Sequence, residues 1–406
     1  MQSDSENQKI KISSSAAISP LTKRTDKAGL YIHFPYCIHK CGYCDFFSEG
    51  IGKNANINQN EIFTIFKKEL SIRIEDDPSL LDLEFRSIFF GGGTPSLIDL
   101  EEFESFLEYL RTTLKFKSSL EITLEANPED ITTAFLHQIN DLGVNRINVG
   151  IQSFHEQHLK MLDRFYDPSK YSKIMQILHD SPIERFGIDL IYGIPGQSRE
   201  EFIKDIEHAL EYPLKHLSCY ALTLEKGTNY SREVLENKKL PPNEELQSDL
   251  LKDLPGILAH YGLKQYEVSN YAIPGYECRH NMGYWAMDYY LSLGPGAHGW
   301  IPKGRYSNQR NIYQYLRNQF SGKYDKIEPN SEIPINVFRL FYPFNIYSYF
   351  SENSEILEIT KNLLSSWRDK KICDFDSTSG VFQWRPHAVV NLDGYITEYA
   401  SAIDKK

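Results

Sequence analysis

From Gly29 onward the chain alternates between two textures. Short runs of β-branched, aromatic and aliphatic residues end in a turn cluster, and a segment with apolar residues three and four apart follows each. GLYIHF ends at Phe34, RSIFF at Phe90, LEITLE at Glu125, RINVGI at Ile151, FGIDLIY at Tyr192 and HLSCYALTL at Leu224. Amphipathic stretches lie between them, as at residues 61–74 and 100–114, and Ser198 with Glu201 reads as a capping box. Strand and helix in alternation predict an α/β fold with a parallel sheet and right-handed crossovers. Polar, Gly and Cys residues fall at or just past the C-terminal end of the predicted strands. That placement favours a partial (β/α)6 barrel, with its rim of loops, over an open sheet with one switch point.

The pattern lapses at both ends. Residues 1–28 are polar, lack aromatics and read as a disordered tail before a 29–230 core. Residues 231–310 form a Pro-punctuated extension. Residues 311–406 are expected to form a small α+β domain of winged-helix type. It would hold a polar connection at 322–334, a helix over 354–370, a strand at 380–384 and a final helix. Within it, INVFRLFYPFNIYSYF is unusually aromatic.

Composition narrows the function classes. With 406 residues, 41% hydrophobic and 24% charged, the chain is long enough for more than one domain with its own core. A formal net charge of -11 provides no field drawing it to nucleic acid or an anionic membrane. No apolar run reaches the roughly 18 to 20 residues of a membrane span, and the N-terminus lacks a secretory pattern, so a cytoplasmic location is expected.

Six cysteines are too few for a disulfide scaffold, yet Cys37, Cys41 and Cys44 stand at C-x3-C-x2-C directly after the first strand. Three thiolates from one tight loop suit a metal centre one ligand short of closure. His33 or His39 would complete a structural zinc site; a 4Fe-4S cluster would keep one iron open. All three lie in one loop at the barrel's loop edge, which favours the cluster. Cys219, Cys278 and Cys373 are scattered and read as buried thiols. Gly91-Gly92-Gly93-Thr94-Pro95 lacks a Walker lysine, and its glycines would let backbone approach a zwitterion closely. Glu125, Gln152 and Asp189 end the third, fourth and fifth strands, where a carboxylate can accept from an ammonium or ribose hydroxyls.

The cysteine spacing after the first strand resembles the radical S-adenosylmethionine (SAM) signature. At the level of phrases, YIHFPYC, FFGGGTPS, LEANPE, VGIQSF, IDLIYGIPGQ and CRHNMGYW, in that order, resemble the family of oxygen-independent coproporphyrinogen III oxidase and its HemW-type heme chaperone branch. The resemblance runs from about residue 29 to 299. It implies that Cys37, Cys41 and Cys44 hold a 4Fe-4S cluster whose open iron chelates SAM. By position, Tyr31, the peptide at Tyr43, Gly92, Gly93, Thr94, Glu125, Gln152, Asp189 and Arg164 match the family's SAM contacts. His280-Asn281-x-x-Tyr284-Trp285 resembles the chaperone branch's HNxxYW motif, whose histidine is implicated in holding heme. A plainer reading makes these four residues core aromatics and satisfied buried polar groups.

The chaperone branch implies heme as cargo, acceptor hemoproteins, respiratory ones among them, and an electron donor. The oxidase carries a further cysteine two residues past the last ligand, where this chain has Asp45-Phe46, and a longer leading segment than the 28 residues here. Oxidase activity and a structural zinc module stand as alternatives.

Overall fold

The structure, a computed structural model, describes residue 21 and residues 26–52, 59–326, 329–350 and 353–404. The expected tail therefore lies outside the described residues except at its end. There Leu21 bridges to Phe344, and Lys27 and Ala28 already belong to the first strand.

β1 (Lys27–Phe34) leads into a loop closed on itself by two short paired strands, β2 (Tyr36–Cys37) and β3 (Glu49–Gly50). β4 (Glu84–Gly92), β5 (Lys115–Ala126), β6 (Arg146–Gln152), β7 (Arg185–Tyr192) and β8 (His216–Ala221) follow. With β1 they form six parallel strands in sequence order. The crossovers carry α1 (Gln59–Asp76), α2 (Leu100–Thr113), α3 (Thr133–Asp141), α4 (Glu156–Met161), α5 (Tyr171–His179) and α6 (Arg199–Leu210). Asp99 caps α2 by accepting from the Glu101 and Glu102 amides, and α6 opens with the predicted capping box.

This is the partial barrel of the sequence pattern, and it does not close. After α7 (Asn229–Leu235) and α8 (Glu244–Ala259), β9 (Lys264–Gln265) and β10 (Asn270–Ala272) extend the sheet beyond β8. After α9 (Arg279–Trp285), β11 (Tyr289–Leu293), β12 (His298–Ile301) and β13 (Gly304–Ser307) extend it beyond β1, for eleven strands in all.

The two faces of the parallel strands differ in chemistry, as the period of two requires. Leu30, Ile32, Ile88, Phe90, Leu124, Val149 and Leu190 are buried in one apolar core with Phe63 and Phe66 of α1 and Phe103 and Phe106 of α2. The alternate residues Tyr31, Phe89, Thr123, Glu125, Asn148 and Ser218 line an interior cavity of about 280 Å³. A closed barrel of this class fills its lumen with branched apolar side chains. Polar inward positions leave a chamber instead.

The residues expected to form one unit from 311 onward divide between two cores. α10 (Ile312–Leu316) packs into the barrel through Ile312 and Tyr315. A second core begins at Ile333 and includes Cys278 and Met282 of the extension. α11 (Pro329–Val337) starts inside the expected polar connection, with a proline at its first position. β14 (Phe344–Asn345), α12 (Ser354–Asp369), β15 (Cys373–Phe375), β16 (Val381–Trp384) and α13 (Leu392–Asp404) complete a three-stranded antiparallel sheet with helices. The aromatic stretch supplies its hub: the Phe338 ring lies 4.7 Å from Tyr399, 5.4 Å from Phe382 and 5.6 Å from Trp384.

A buried ion pair fastens α1 to the β11 edge. Glu69 accepts from Arg73 (Nη2, 2.9 Å), Asn308 (Nδ2, 2.7 Å), the Gly294 amide (3.1 Å) and the Tyr315 hydroxyl (2.5 Å). Arg73 also donates to the Ser321 carbonyl at 2.6 Å and lies 3.8 Å from the Tyr306 ring centroid. Both side chains are at most 1% exposed. Removing one partner strands the other charge at a cost of about 3 to 5 kcal/mol, whereas removing both spares that penalty. Glu69→Ala is therefore expected to lower the thermal unfolding midpoint more than the double variant Glu69→Ala/Arg73→Met, measured by circular dichroism on the two proteins.

Candidate functional site

The cysteine loop, Gly92, Glu125 and Gln152 stand at or just past the C-terminal ends of β1, β4, β5 and β6, whereas Asp189, expected at the end of β7, lies three residues before it. The cysteine loop leaves β1 at Phe34 and is held at both ends. The Gly93 amide donates to the Phe34 carbonyl (2.7 Å), and the Thr94 amide to the Tyr36 carbonyl (2.8 Å). The Ile51 amide donates to the Cys37 carbonyl (2.9 Å), closing the loop on itself. A Cβ on Gly93 would lie 2.6 Å from the Tyr36 oxygen, so only glycine permits this approach. Gly92 has φ +107° and faces the His33 ring. Within the loop the Cys44 amide donates to the Cys41 carbonyl, turning the chain between two of the three thiols.

Burial pushes the Cys44 thiol up to about 11. It also raises Cys41, against the Arg164 guanidinium, whose Nη1 lies 3.8 Å from Cys41 Sγ. Arg164 further donates to the Gly150 carbonyl (2.6 Å) and Asn127 Oδ1 (3.2 Å), tying the cysteine loop to the ends of β5 and β6. Among the described residues no three His, Cys, Asp or Glu side chains close in tightly enough to hold a lone ion. The fit to a cluster rests on the single loop of three thiols, its double anchorage and the cation beside it. Its ligands would be Cys37, Cys41 and Cys44.

His33, a candidate fourth zinc ligand, is committed elsewhere. Its Nε2 lies 2.7 Å from the Phe47 carbonyl, which only accepts, so Nε2 carries the proton and Nδ1 accepts from the Tyr31 hydroxyl at 3.0 Å. Burial lowers its pKa to about 4, so the ring is neutral. His39 packs its ring on Phe165, 5.0 Å between centroids.

Glu125 and Asp189 are the electrostatic signature of the chamber. Glu125 Oε2 accepts from the Gly92 amide at 3.2 Å, and Asp189 Oδ1 accepts from Asn148 Nδ2 at 2.7 Å. Burial pushes Glu125 up to about 8, helped by Asp189, and burial likewise raises Asp189. Glu125 lines the cavity and Asp189 lies close enough to raise it; both are half-buried, and neither forms an ion pair among the described residues. A cationic occupant such as a sulfonium or ammonium would supply the missing charge, so these residues fit SAM. Gln152, at φ +69°, ends β6 in the left-handed region. Asp205 fixes that turn by accepting from Ser153 Oγ (2.8 Å) and the Phe154 amide (2.7 Å). Thr94 accepts from Asn127 Nδ2 (3.2 Å), and the Tyr43 ring packs against the small core of Leu162, Ile191 and Leu222.

The HNxxYW residues lie at the opposite, N-terminal end. α9 plugs the barrel there: the Arg279 amide donates to Glu121 Oε1 (2.8 Å), and Arg146, paired with Glu121, donates to the Tyr276 and Glu277 carbonyls. Both His280 ring nitrogens are engaged, Nδ1 with Ser87 Oγ (2.9 Å) and Nε2 with Tyr284 Oη (2.8 Å). The ring stacks on Phe89 at 5.1 Å, and burial lowers its pKa to about 3. In this arrangement the plainer reading describes His280: its nitrogens are not free for an iron. Asn281 and Tyr284 line the chamber, while Trp285 packs on the second core beneath Arg339.

The chamber also contains Asn148, Ser218, Tyr220 and Asn270, none of them anticipated from sequence. Stepping by two from Asp189 or Glu125 along each strand, once register is known, finds the first three.

Because Glu125 is raised from the ordinary carboxylate range, its ionised form is disfavoured in the folded state. That cost is absent at low pH and grows as pH climbs from the unfolded value toward 8. Ligand-free Glu125→Gln is thus expected to melt with the parent protein near pH 4 and above it, by a widening margin, at pH 6 and pH 9, by thermal denaturation at the three values.

The Radical SAM superfamily profile matches residues 31–209. Heme chaperone HemW of Haemophilus influenzae is 33% identical over 320 residues, 77% of this chain and 82% of the relative. Heme chaperone HemW of Buchnera aphidicola subsp. Schizaphis graminum is 33% identical over 365 residues, 86% of this chain and 94% of the relative. Among solved structures, coproporphyrinogen III oxidase (HemN) from Escherichia coli, a radical SAM enzyme, matches with TM-score 0.74 over 95% of this chain and 92% of that one. At 18% identity that is a likeness of fold. Identity of this degree to the chaperones, along more than three quarters of the sequence, means that the chain belongs to the HemW family of the radical SAM superfamily.

Proposed function

We propose that this protein is a heme chaperone: it binds heme and passes it to hemoproteins, with a 4Fe-4S cluster on Cys37, Cys41 and Cys44 and SAM in the barrel chamber. The observation that carries this reading is the 33% identity to heme chaperones along 77% and 86% of the chain. Bound cluster and SAM supply one-electron cleavage chemistry, for which an electron donor is required. The chain's own residues bind and orient. Gly92 and Gly93 bring backbone close, Glu125 with Asp189 near it would be ionised by a cationic group in the chamber, and Arg164 holds the cysteine loop against the strand ends. Two features weigh against the alternatives. Asp45 and Phe46 stand where the oxidase resemblance calls for a cysteine, and both His33 nitrogens are spent within the protein.

Anaerobically reconstituted full-length protein mixed with ferric heme is expected to develop a Soret band and then lose it to an added apo-hemoprotein. Coproporphyrinogen III should remain unconverted in the presence of reductant and SAM. Cys41→Ser is expected to lose the brown colour and most of its bound iron while keeping its circular dichroism. Formation of protoporphyrinogen, or zinc in place of iron, would overturn the reading.

A further inference from the structure

Both His280 nitrogens are hydrogen-bonded within the protein, which directs attention to other imidazoles that could ligate a heme iron. A second cleft, of about 350 Å³, adjoins the barrel chamber and shares Tyr31, Phe46 and Tyr284 with it. Phe46, Phe47 and Tyr290 give it aromatic sides, and His298 and Arg310 line it. His298, at the start of β12, is exposed, and its imidazole makes no hydrogen bond to any described residue. Burial and the neighbouring Arg305 and Arg310 lower its pKa, which favours the neutral ring that ligates iron.

The rest of the cleft suits a flat, anionic macrocycle. Phe46 is 64% exposed, a large aromatic ring left in solvent beside the cleft's interior. Gly296, at φ +74°, keeps the floor low: a Cβ there would stand 3.0 Å from Phe47 and 3.4 Å from Arg310. Among the described residues Arg310 is held by Asp45 alone, in a pair 53% and 46% exposed. So weak a surface pair can exchange one carboxylate for another. Cargo that must be handed on also needs a face that an acceptor can reach, and this cleft offers one in the exposed Phe46 and His298.

Resting on the heme-chaperone reading, we propose that heme docks in this cleft with His298 as its iron ligand, its ring plane against Phe46 and Phe47 and a propionate on Arg310. The interior chamber is thereby left to SAM, and cargo and cofactor occupy adjoining spaces that share Tyr31, Phe46 and Tyr284.

The test is a titration of ferric heme into the anaerobically reconstituted full chain and its His298→Ala, Arg310→Ala and His280→Gln variants, read by Soret position and affinity. His298→Ala is expected to shift the band and weaken binding by about tenfold or more. Free imidazole should restore the band, which a merely structural loss would not allow. Arg310→Ala should weaken binding without moving the band, and His280→Gln should keep both. Unchanged iron content and SAM binding in His298→Ala report an intact fold. The proposal falls if His298→Ala keeps the parent band and affinity, and more so if His280→Gln loses both. A parent protein that takes up no heme defeats the heme reading itself, and this proposal with it.

Discussion

The site depends on two backbone hydrogen bonds, from the Gly93 amide to the Phe34 carbonyl and from the Thr94 amide to the Tyr36 carbonyl. They continue the parallel ladder of β1 and β4 past the end of both strands, into the stretch where the cysteines begin. A loop rich in thiols has no reason of its own to hold one conformation. Here its entrance is fixed by the neighbouring strand, and its exit by the Ile51 and Glu49 amides. Both attachments require that no side chain intervene at Gly93. The same glycine edge offers the Gly92 amide to Glu125, so the placement of the cysteines and of the first chamber carboxylate comes from one short segment.

Charge is distributed unevenly around that segment. A half-buried guanidinium, Arg164, faces the sulfur side, while Glu125 lines the chamber on the barrel side with Asp189 near it. An occupant with negative groups toward the loop and positive ones toward β5 and β7 would satisfy both, which is the polarity of a zwitterionic sulfonium. The plug at the other end has its own closed set of partners. Glu121, Arg146, Ser87, His280 and Tyr284 bond to one another or to nearby backbone. The two ends of one lumen are therefore built for different tasks, an unsatisfied upper rim and a satisfied base.

Much of this was visible in the linear pattern because it is local. The ends of the first five parallel strands, the capping box at Ser198, the helix at Ser354–Asp369 and the cysteine loop each depend on neighbours within a few residues; the sixth strand stops at Ala221, short of the expected Leu224. What escaped depends on register or distant contacts. The strands read as apolar runs, but which alternate residue turns inward depends on pairing, so Asn148 and Ser218 carried no mark. The fate of His280 was decided by Ser87, 193 positions away. The aromatic stretch from Ile335 to Phe350 looked anomalous only until Trp367, Trp384 and Tyr399 were placed around Phe338. The division at residue 311 failed for the same reason, since Tyr315 belongs to the barrel through its bond to Glu69.

Tyr31, Phe46 and Tyr284 border both the inner chamber and the outer cleft. A shared partition makes the two spaces thermodynamic neighbours, because a molecule on one side narrows the rotamers available to the other. Whatever factor one guest contributes to the affinity of the second must be returned unchanged when the order of arrival is reversed.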